Sequence, residues 1–375
     1  MVRHGERLLR WLSASAVLAG CASTSVATTM DARLSTGDAT SPDIAEVFSG
    51  AVADAPPLDT PLDAPLDVSD VPSAPDARPV VVSASFDVQG HRGARGLRPE
   101  NTLPSFERAL ALGVDTLETD LHFSADDALI VWHDPTIGER HCRIDPSAAP
   151  PLPPEPRTRP RIRSLSAAQL RKYRCDQNPD GRAEQRAEAE LVAGDDYRLL
   201  ELSEVFEFVG RYSSDVRVAA SLRARAARVR FNLETKRSIE DPSTIGDGFD
   251  GSAPGAFERA LVALVRARGL EDRVTVQSFD ERSLRAVRTL SPTITLSMLT
   301  LGLETPDNVR ATGATIWAPS GGFVTRAAAA AARRAGLRVI PWTVNDAAQF
   351  RALLAHGIDG VITDRPDVLL AEITR

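Results

Sequence analysis

The chain has 375 residues, 43% of them hydrophobic and 25% charged, which suits one large globular domain with appendages. A net charge of −7 offers no basic footprint for a polyanion, so nucleic acid is not an expected partner, while metal chemistry on small anions stays open. Three cysteines, Cys21, Cys142 and Cys175, are too few for a scaffold built on disulfides.

Positive charge at Arg3, Arg7 and Arg10 precedes an apolar stretch from Leu12 to Gly20 that is too short to span a membrane and reads as a signal peptide over residues 1–20. Leu18-Ala19-Gly20-Cys21 resembles the bacterial lipobox. That resemblance implies cleavage before Cys21 and a lipid on its thiol; an ordinary signal peptide followed by a chance cysteine is the plainer alternative. The expected product is an exported, membrane-anchored lipoprotein of the periplasm or outer membrane. With Cys21 so used, Cys142 and Cys175 are left as an even pair in an oxidising compartment, either bridged or as two buried thiols. Residues 21–84 are rich in Ala, Pro, Asp, Ser and Thr and carry the near-repeat Pro57-Leu58-Asp59, Pro61-Leu62-Asp63, Pro65-Leu66-Asp67. Such a segment cannot bury enough apolar surface to order itself, so a disordered, extended spacer is expected.

Residues 85–375 form the folded domain. Short β-rich runs alternate there with amphipathic helical runs, the pattern of a parallel sheet covered by helices. Strands are expected at Phe86 to Gly90, Thr116 to Phe123, Phe231 to Lys236, Val274 to Phe279, Thr295 to Leu299, Thr315 to Ala318, Val339 to Val344 and Gly360 to Thr363. Eight is the number of an α/β (β/α)₈ TIM barrel, although an open doubly wound sheet gives a similar string. Helices are expected at Thr102 to Leu112, Ala256 to Ala267, Arg282 to Thr289, Arg326 to Ala335 and Ala347 to Ala355, with Gly113, Gly269, Gly336 and Gly357 ending four of them. Leu129 to Trp132 adds a short strand. After it, about 135–200 breaks the rhythm with a proline run and an Arg-rich stretch, an insertion expected to have little core of its own; Ser166 to Tyr173 reads as a short helix capped by Ser164 or Ser166.

Candidate chemistry clusters at strand ends, where a barrel presents its active face. His91-Arg92-Gly93 follows the first strand and offers a proton carrier beside a guanidinium whose planar donors match two phosphate oxygens. On the second strand Glu118 and Asp120 are two apart and share one side, with His122 next on that side. Two carboxylates among leucines repel and lose hydration unless a cation or hydrogen-bond donors answer them; a hard divalent ion is the simplest answer, and oxygen ligands favour Mg²⁺ or Ca²⁺ over zinc. Asn232, Glu234 and Lys236 likewise share one side of their strand, adding a third carboxylate and a cation. Trp132-His133-Asp134 places a second histidine after an apolar strand, so His91 and His133 can serve as general base and general acid about one phosphorus centre.

Taken together, His91-Arg92-Gly93, Pro99-Glu100-Asn101-Thr102, Glu118-Thr119-Asp120, His133-Asp134, Asn232 to Lys236, Gln277-Ser278-Phe279, Pro341 to Asn345 and Gly360 to Pro366 resemble the glycerophosphodiester phosphodiesterase (GDPD) family over essentially the whole domain. The resemblance implies a barrel in which Glu118, Asp120 and Glu234 hold one divalent cation and His91 and His133 are the acid/base pair. Arg92 and Lys236 would hold phosphate, Glu100 would support the His-Arg loop and Trp342 would wall the pocket. By analogy the substrate glycerol hydroxyl attacks phosphorus, and water opens the cyclic product to glycerol 3-phosphate and an alcohol. Asp127-Ala128 stands where family members turn on Asp-Gly, and the insertion after His133 stands where they vary. A phospholipase D-like relative acting on lysophospholipids and a non-catalytic surface lipoprotein are the two other readings. No protein partner is legible.

Overall fold

The computed structural model describes residues 78–144, 159–302 and 304–374. The leader, the lipobox with Cys21, nearly all of the spacer and the proline run Pro150 to Pro154 lie outside the described residues.

Eight parallel strands form the centre: β1 (Asp87–Gly90), β2 (Thr116–Phe123), β3 (Arg230–Thr235), β4 (Val274–Ser278), β5 (Thr295–Thr300), β6 (Ile316–Pro319), β7 (Arg338–Val339) and β8 (Gly360–Thr363). Their spatial order is β7-β6-β5-β4-β3-β2-β1-β8, each neighbour parallel. Strands β1, β2, β6 and β8 are buried along their whole length, as strands covered on both faces must be. The seam between β7 and β8 is bridged by Asp359 N–H to Val339 O at 2.8 Å, Ile362 N–H to Pro341 O at 2.9 Å and Val344 N–H to Ile362 O at 3.0 Å. These bonds complete the ring of a (β/α)₈ barrel.

Outside the ring lie α1 (Leu103–Leu112), α2 (Leu202–Ser214), α3 (Ala220–Ala226), α4 (Ala256–Ala267), α5 (Glu281–Leu290), α6 (Pro306–Ala311), α7 (Arg326–Arg334), α8 (Ala347–His356) and α9 (Pro366–Ala371). The Thr102 side chain caps the first turn of α1 and Gly113, at φ 86°, turns the chain at its other end. Four helices, α2, α3, α6 and α9, go beyond the sequence reading. The seventh strand is shorter than expected because Pro341 has no N–H for a ladder, so single bonds of the following loop replace it.

The structure defines one turn and changes one local expectation. The turn after β2 does require the left-handed region, and Asp127 rather than Ala128 enters it at φ 59°, a conformation that Asp tolerates better than most residues. The insertion has a core of its own: Ile137, Cys142, Ile162, Leu170, Tyr173, Cys175 and Leu199 pack around Ile130 and Trp132. Its short helix, Ala167–Leu170, is capped by Ser166. Cys142 and Cys175 form a disulfide inside this cluster.

The loop after β3 is held by a buried ion cluster. Arg237 binds Glu258 through Nε at 2.5 Å and Asp247 through NH2 at 2.7 Å, with its guanidinium 4.0 Å from the Phe249 ring centroid. Burial alone would push Asp247 up; the Arg237 hydrogen bond and the Phe257 N–H overcome it and hold that carboxyl down at about 2. A depressed carboxylate contributes stability above its unfolded pKa and loses it as pH falls through the folded value. Acid unfolding of wild type should therefore lose about 2 kcal/mol between roughly pH 4 and pH 2 from this group. In Asp247→Asn, denaturant melts across that window should show a correspondingly flatter acid limb; an identical limb would remove Asp247 from this role.

Candidate active site

Glu118 and Asp120 alternate inward on β2, and the β2–β3 register sets Asp120 beside Glu234. The three carboxylates are buried, with one oxygen of each lying within 4.8 Å of the others. Glu118 accepts the Arg92 N–H at 2.9 Å and the Gln277 side-chain amide at 2.9 Å. Gln277 is itself oriented, because its carbonyl oxygen accepts from Asn232 Nδ2 at 2.8 Å. Asn232 also donates to Gln89 at 2.7 Å, and Gln89 donates to Asp87 at 3.0 Å. A polar chain thus crosses the barrel interior from β1 through β3 and β4 to Glu118.

Arg92 sits in the left-handed region at φ 51°. That turn aims its N–H at Glu118 while its side chain reaches Glu100 at 2.9 Å and Asp120 at 3.2 Å. Asn101, also left-handed at φ 56°, donates to Asp120 Oδ2 at 2.9 Å and accepts from Thr119. Lys236 reaches Glu234 at 2.8 Å and Asp120 at 3.6 Å. The two cations expected to hold phosphate therefore already touch the acidic cluster.

Whether the residues fit a cation can be read from what is left over. Asp120 Oδ1 is buried without a hydrogen bond. Burial, then the charges of Asp120 and Glu234, push the Glu118 carboxyl well above its ordinary range, so the cluster favours added positive charge. An all-oxygen donor set of three carboxylates suits a hard divalent ion.

Each histidine is pinned through Nδ1. His91 Nδ1 lies 2.6 Å from Asp364 Oδ1, and His133 Nδ1 lies 2.8 Å from Asp134 Oδ1. A carboxylate can only accept, so Nδ1 carries the proton in both. Asp364, despite its burial, is kept ionised by Arg95, His91 and Arg182. Burial and then Arg92 lower the His91 pKa against the pull of Asp364, which favours neutral imidazole. Both imidazoles lie near enough to bear on the Asp120 carboxylate. His122, the histidine on the inward side of β2, is structural: burial lowers its pKa to about 4, and its ring faces the His133 and Thr244 carbonyls.

Trp342 is half-buried, donates Nε1–H to Ala318 O at 2.9 Å and meets Phe279 edge-on with ring centroids 5.5 Å apart. The insertion lies against the loop after β1 and against α1: Gln185 donates to Arg95 O, Arg186 N–H to Leu97 O, and Val192 and Ala193 N–H to Glu107. The strand-end motifs contain Asp364, Asn345, Asn101, Gln277 and Asp134 without assigning them partners, and Arg182 lies outside every motif. Of these, Asp364 carried a usable signal, since it directly follows β8 at the end where His91 follows β1.

The sequence profile described as the glycerophosphoryl diester phosphodiesterase family matches residues 91–368. The glycerophosphodiester phosphodiesterase of Caldanaerobacter subterraneus subsp. tengcongensis is 27% identical over 288 residues, 76% of this chain and 96% of its own length. A Bacillus altitudinis protein of the same name is 28% identical over 281 residues, 74% of this chain and 94% of its own. Among solved structures, a Silicibacter pomeroyi protein assigned as a glycerophosphoryl diester phosphodiesterase superimposes with a TM-score of 0.61 at 27% identity, covering 78% of this chain and 93% of that one.

Proposed function

Because this chain belongs to the glycerophosphoryl diester phosphodiesterase family, and is a phosphodiesterase of glycerophosphodiesters, we propose that it releases sn-glycerol 3-phosphate and an alcohol through His91 and His133. The observation that carries the proposal is the buried Glu118, Asp120, Glu234 cluster set beside two carboxylate-pinned histidines.

Neutral His91, its Nδ1–H fixed on Asp364, presents Nε2 as proton acceptor to the attacking hydroxyl. His133, its Nδ1 side fixed on Asp134, is the donor to the departing alkoxide. Arg92 and Lys236 sit where they can turn from the carboxylates to the phosphate oxygens. A divalent cation, Ca²⁺ or Mg²⁺, bound by Glu118, Asp120 and Glu234 would supply Lewis-acid neutralisation of the phosphodiester charge. Trp342 and Phe279 form an apolar wall at the mouth.

A second reading, hydrolysis of lysophospholipids, draws support from exposed apolar residues just past three consecutive strands: Ile239 after β3, Phe279 after β4 and Leu301 after β5. The test is release of glycerol 3-phosphate from glycerophosphocholine by the full chain, after chelation and after restoring Ca²⁺ or Mg²⁺, with lysophosphatidylcholine as the competing substrate. Metal-restored turnover of glycerophosphocholine is the expected result. Folded, metal-loaded protein that cleaves only lysophosphatidylcholine would replace the first reading by the second; cleavage of neither would end both.

A further inference from the structure

The insertion places one more charged group behind the catalytic base. Asp364 uses Oδ1 for His91, and its other oxygen, Oδ2, accepts from Arg182 NH1 at 2.8 Å and Asn345 Nδ2 at 2.9 Å. Arg182 comes from the far end of the insertion and does not dangle. Its Nε and NH2 grip Asp180 Oδ2 at 3.2 and 3.0 Å, so the guanidinium is fixed at three nitrogens. Asp180 in turn meets Arg95 NH2 at 3.2 Å, Arg95 meets Glu100 at 2.8 Å, Glu100 meets Arg92 at 2.9 Å and Arg92 meets Asp120 at 3.2 Å. Charges alternate without interruption from the His91 partner, out through the insertion, and back to the acidic cluster.

We infer that Arg182 is a positioning residue for the reaction: bound to Asp364 Oδ2, it fixes the rotation of that carboxylate so that Oδ1 faces His91 Nδ1. Arg95 answers the charge from the Oδ1 side at 3.9 Å, whereas on Oδ2 Asn345 supplies one neutral donor and Arg182 the charged one, the stronger kind. The disulfide and the small core around Trp132 keep the insertion folded, and its hydrogen bonds to Arg95, Leu97 and Glu107 carry Arg182 to this place. The role of Arg182 rests on the reading of His91 as the base.

The test combines turnover with a readout that needs none. In Arg182→Ala, kcat should fall roughly 10- to 100-fold, the equivalent of one charge-assisted hydrogen bond, with KM nearly unchanged. Arg182→Lys should recover part of the loss. In an Asp364→Asn background Arg182→Ala should cost little more, because a residue acting through Asp364 has nothing further to act on. In proton NMR, the downfield His91 Nδ1–H resonance of wild type should shift or broaden in Arg182→Ala and return in Arg182→Lys. A rise in KM at constant kcat would make Arg182 a substrate contact instead. Additive losses in the Asp364→Asn background, or an unmoved resonance, would overturn the inference. The resonance reports on Arg182 even if the substrate assignment fails, so the two failures can be told apart.

Discussion

Glu234→Gln is expected to lower metal-dependent hydrolysis by roughly 10³-fold or more while leaving the melting temperature of the metal-free protein essentially unchanged. The magnitude corresponds to losing several kcal/mol of transition-state charge stabilisation. Glu234 is the cleanest of the three positions, since its hydrogen bond is to Lys236, and the carbonyl oxygen of glutamine can keep that contact. Glu118→Gln is a poorer probe: both Glu118 oxygens accept, from Arg92 N–H and Gln277, so an amide there would set donor against donor. Burial raises the Glu234 pKa first; Lys236 opposes that rise and Asp120 adds to it, so neutralising the side chain should cost the metal-free fold little. A ligand that binds only the folded state raises its stability, by about 2.7 kcal/mol at a hundred times Kd, or several degrees for a domain of this size. Wild type should show that rise with Ca²⁺ or Mg²⁺, and Glu234→Gln should not. Full metal-induced stabilisation in the variant would move the cation to other residues.

His91→Ala and His133→Ala should each reduce kcat on glycerophosphocholine by roughly 10²- to 10⁴-fold, the usual scale of general acid–base catalysis, with metal-induced stabilisation retained. That retention separates them from the ligand variant. The two histidines should then part company on a glycerophosphodiester whose leaving group is a nitrophenol. A nitrophenolate departs without protonation, so His133→Ala should regain most of its rate, whereas His91→Ala should not, since the attacking hydroxyl must still lose its proton. The proposed assignment draws on the surroundings of His91, which is buried, held neutral-favouring and bonded to a carboxylate that Arg95 and Arg182 keep ionised. Rescue of His91→Ala, with His133→Ala left slow, would exchange the two roles. The double variant should lose far less than the product of the single losses, because the two side chains act as a unit.

Much of this site was legible in the sequence because it is written in strand periodicity. Glu118 and Asp120, or Asn232 and Glu234, share a side because alternate strand residues must; burial of that side then brings the carboxylates together whatever the rest of the chain does. The barrel was readable for a related reason: β-rich runs alternate with helices, and capping residues such as Thr102 and Gly113 act on their own neighbours. Short-range rules also located the insertion, though not its interior, since Ile137, Ile162 and Leu199 are scattered in sequence and form a core only when folded against Trp132. The Asp127 turn shows the limit of a local rule, where a strand pairing imposed a left-handed residue that composition did not announce.

The sequence by itself determined which candidate residues share a strand face and which way that face points. Only the tertiary structure decided who holds them: Asp364 on His91, 273 residues away in the chain, Gln277 on Glu118, 159 away, and Arg182 on Asp364, 182 away. Periodicity is a property of one strand or helix, whereas a hydrogen bond between side chains depends on register, rotamer and the approach of two distant elements. Those are fixed when the ring closes and the insertion packs against the loop after β1.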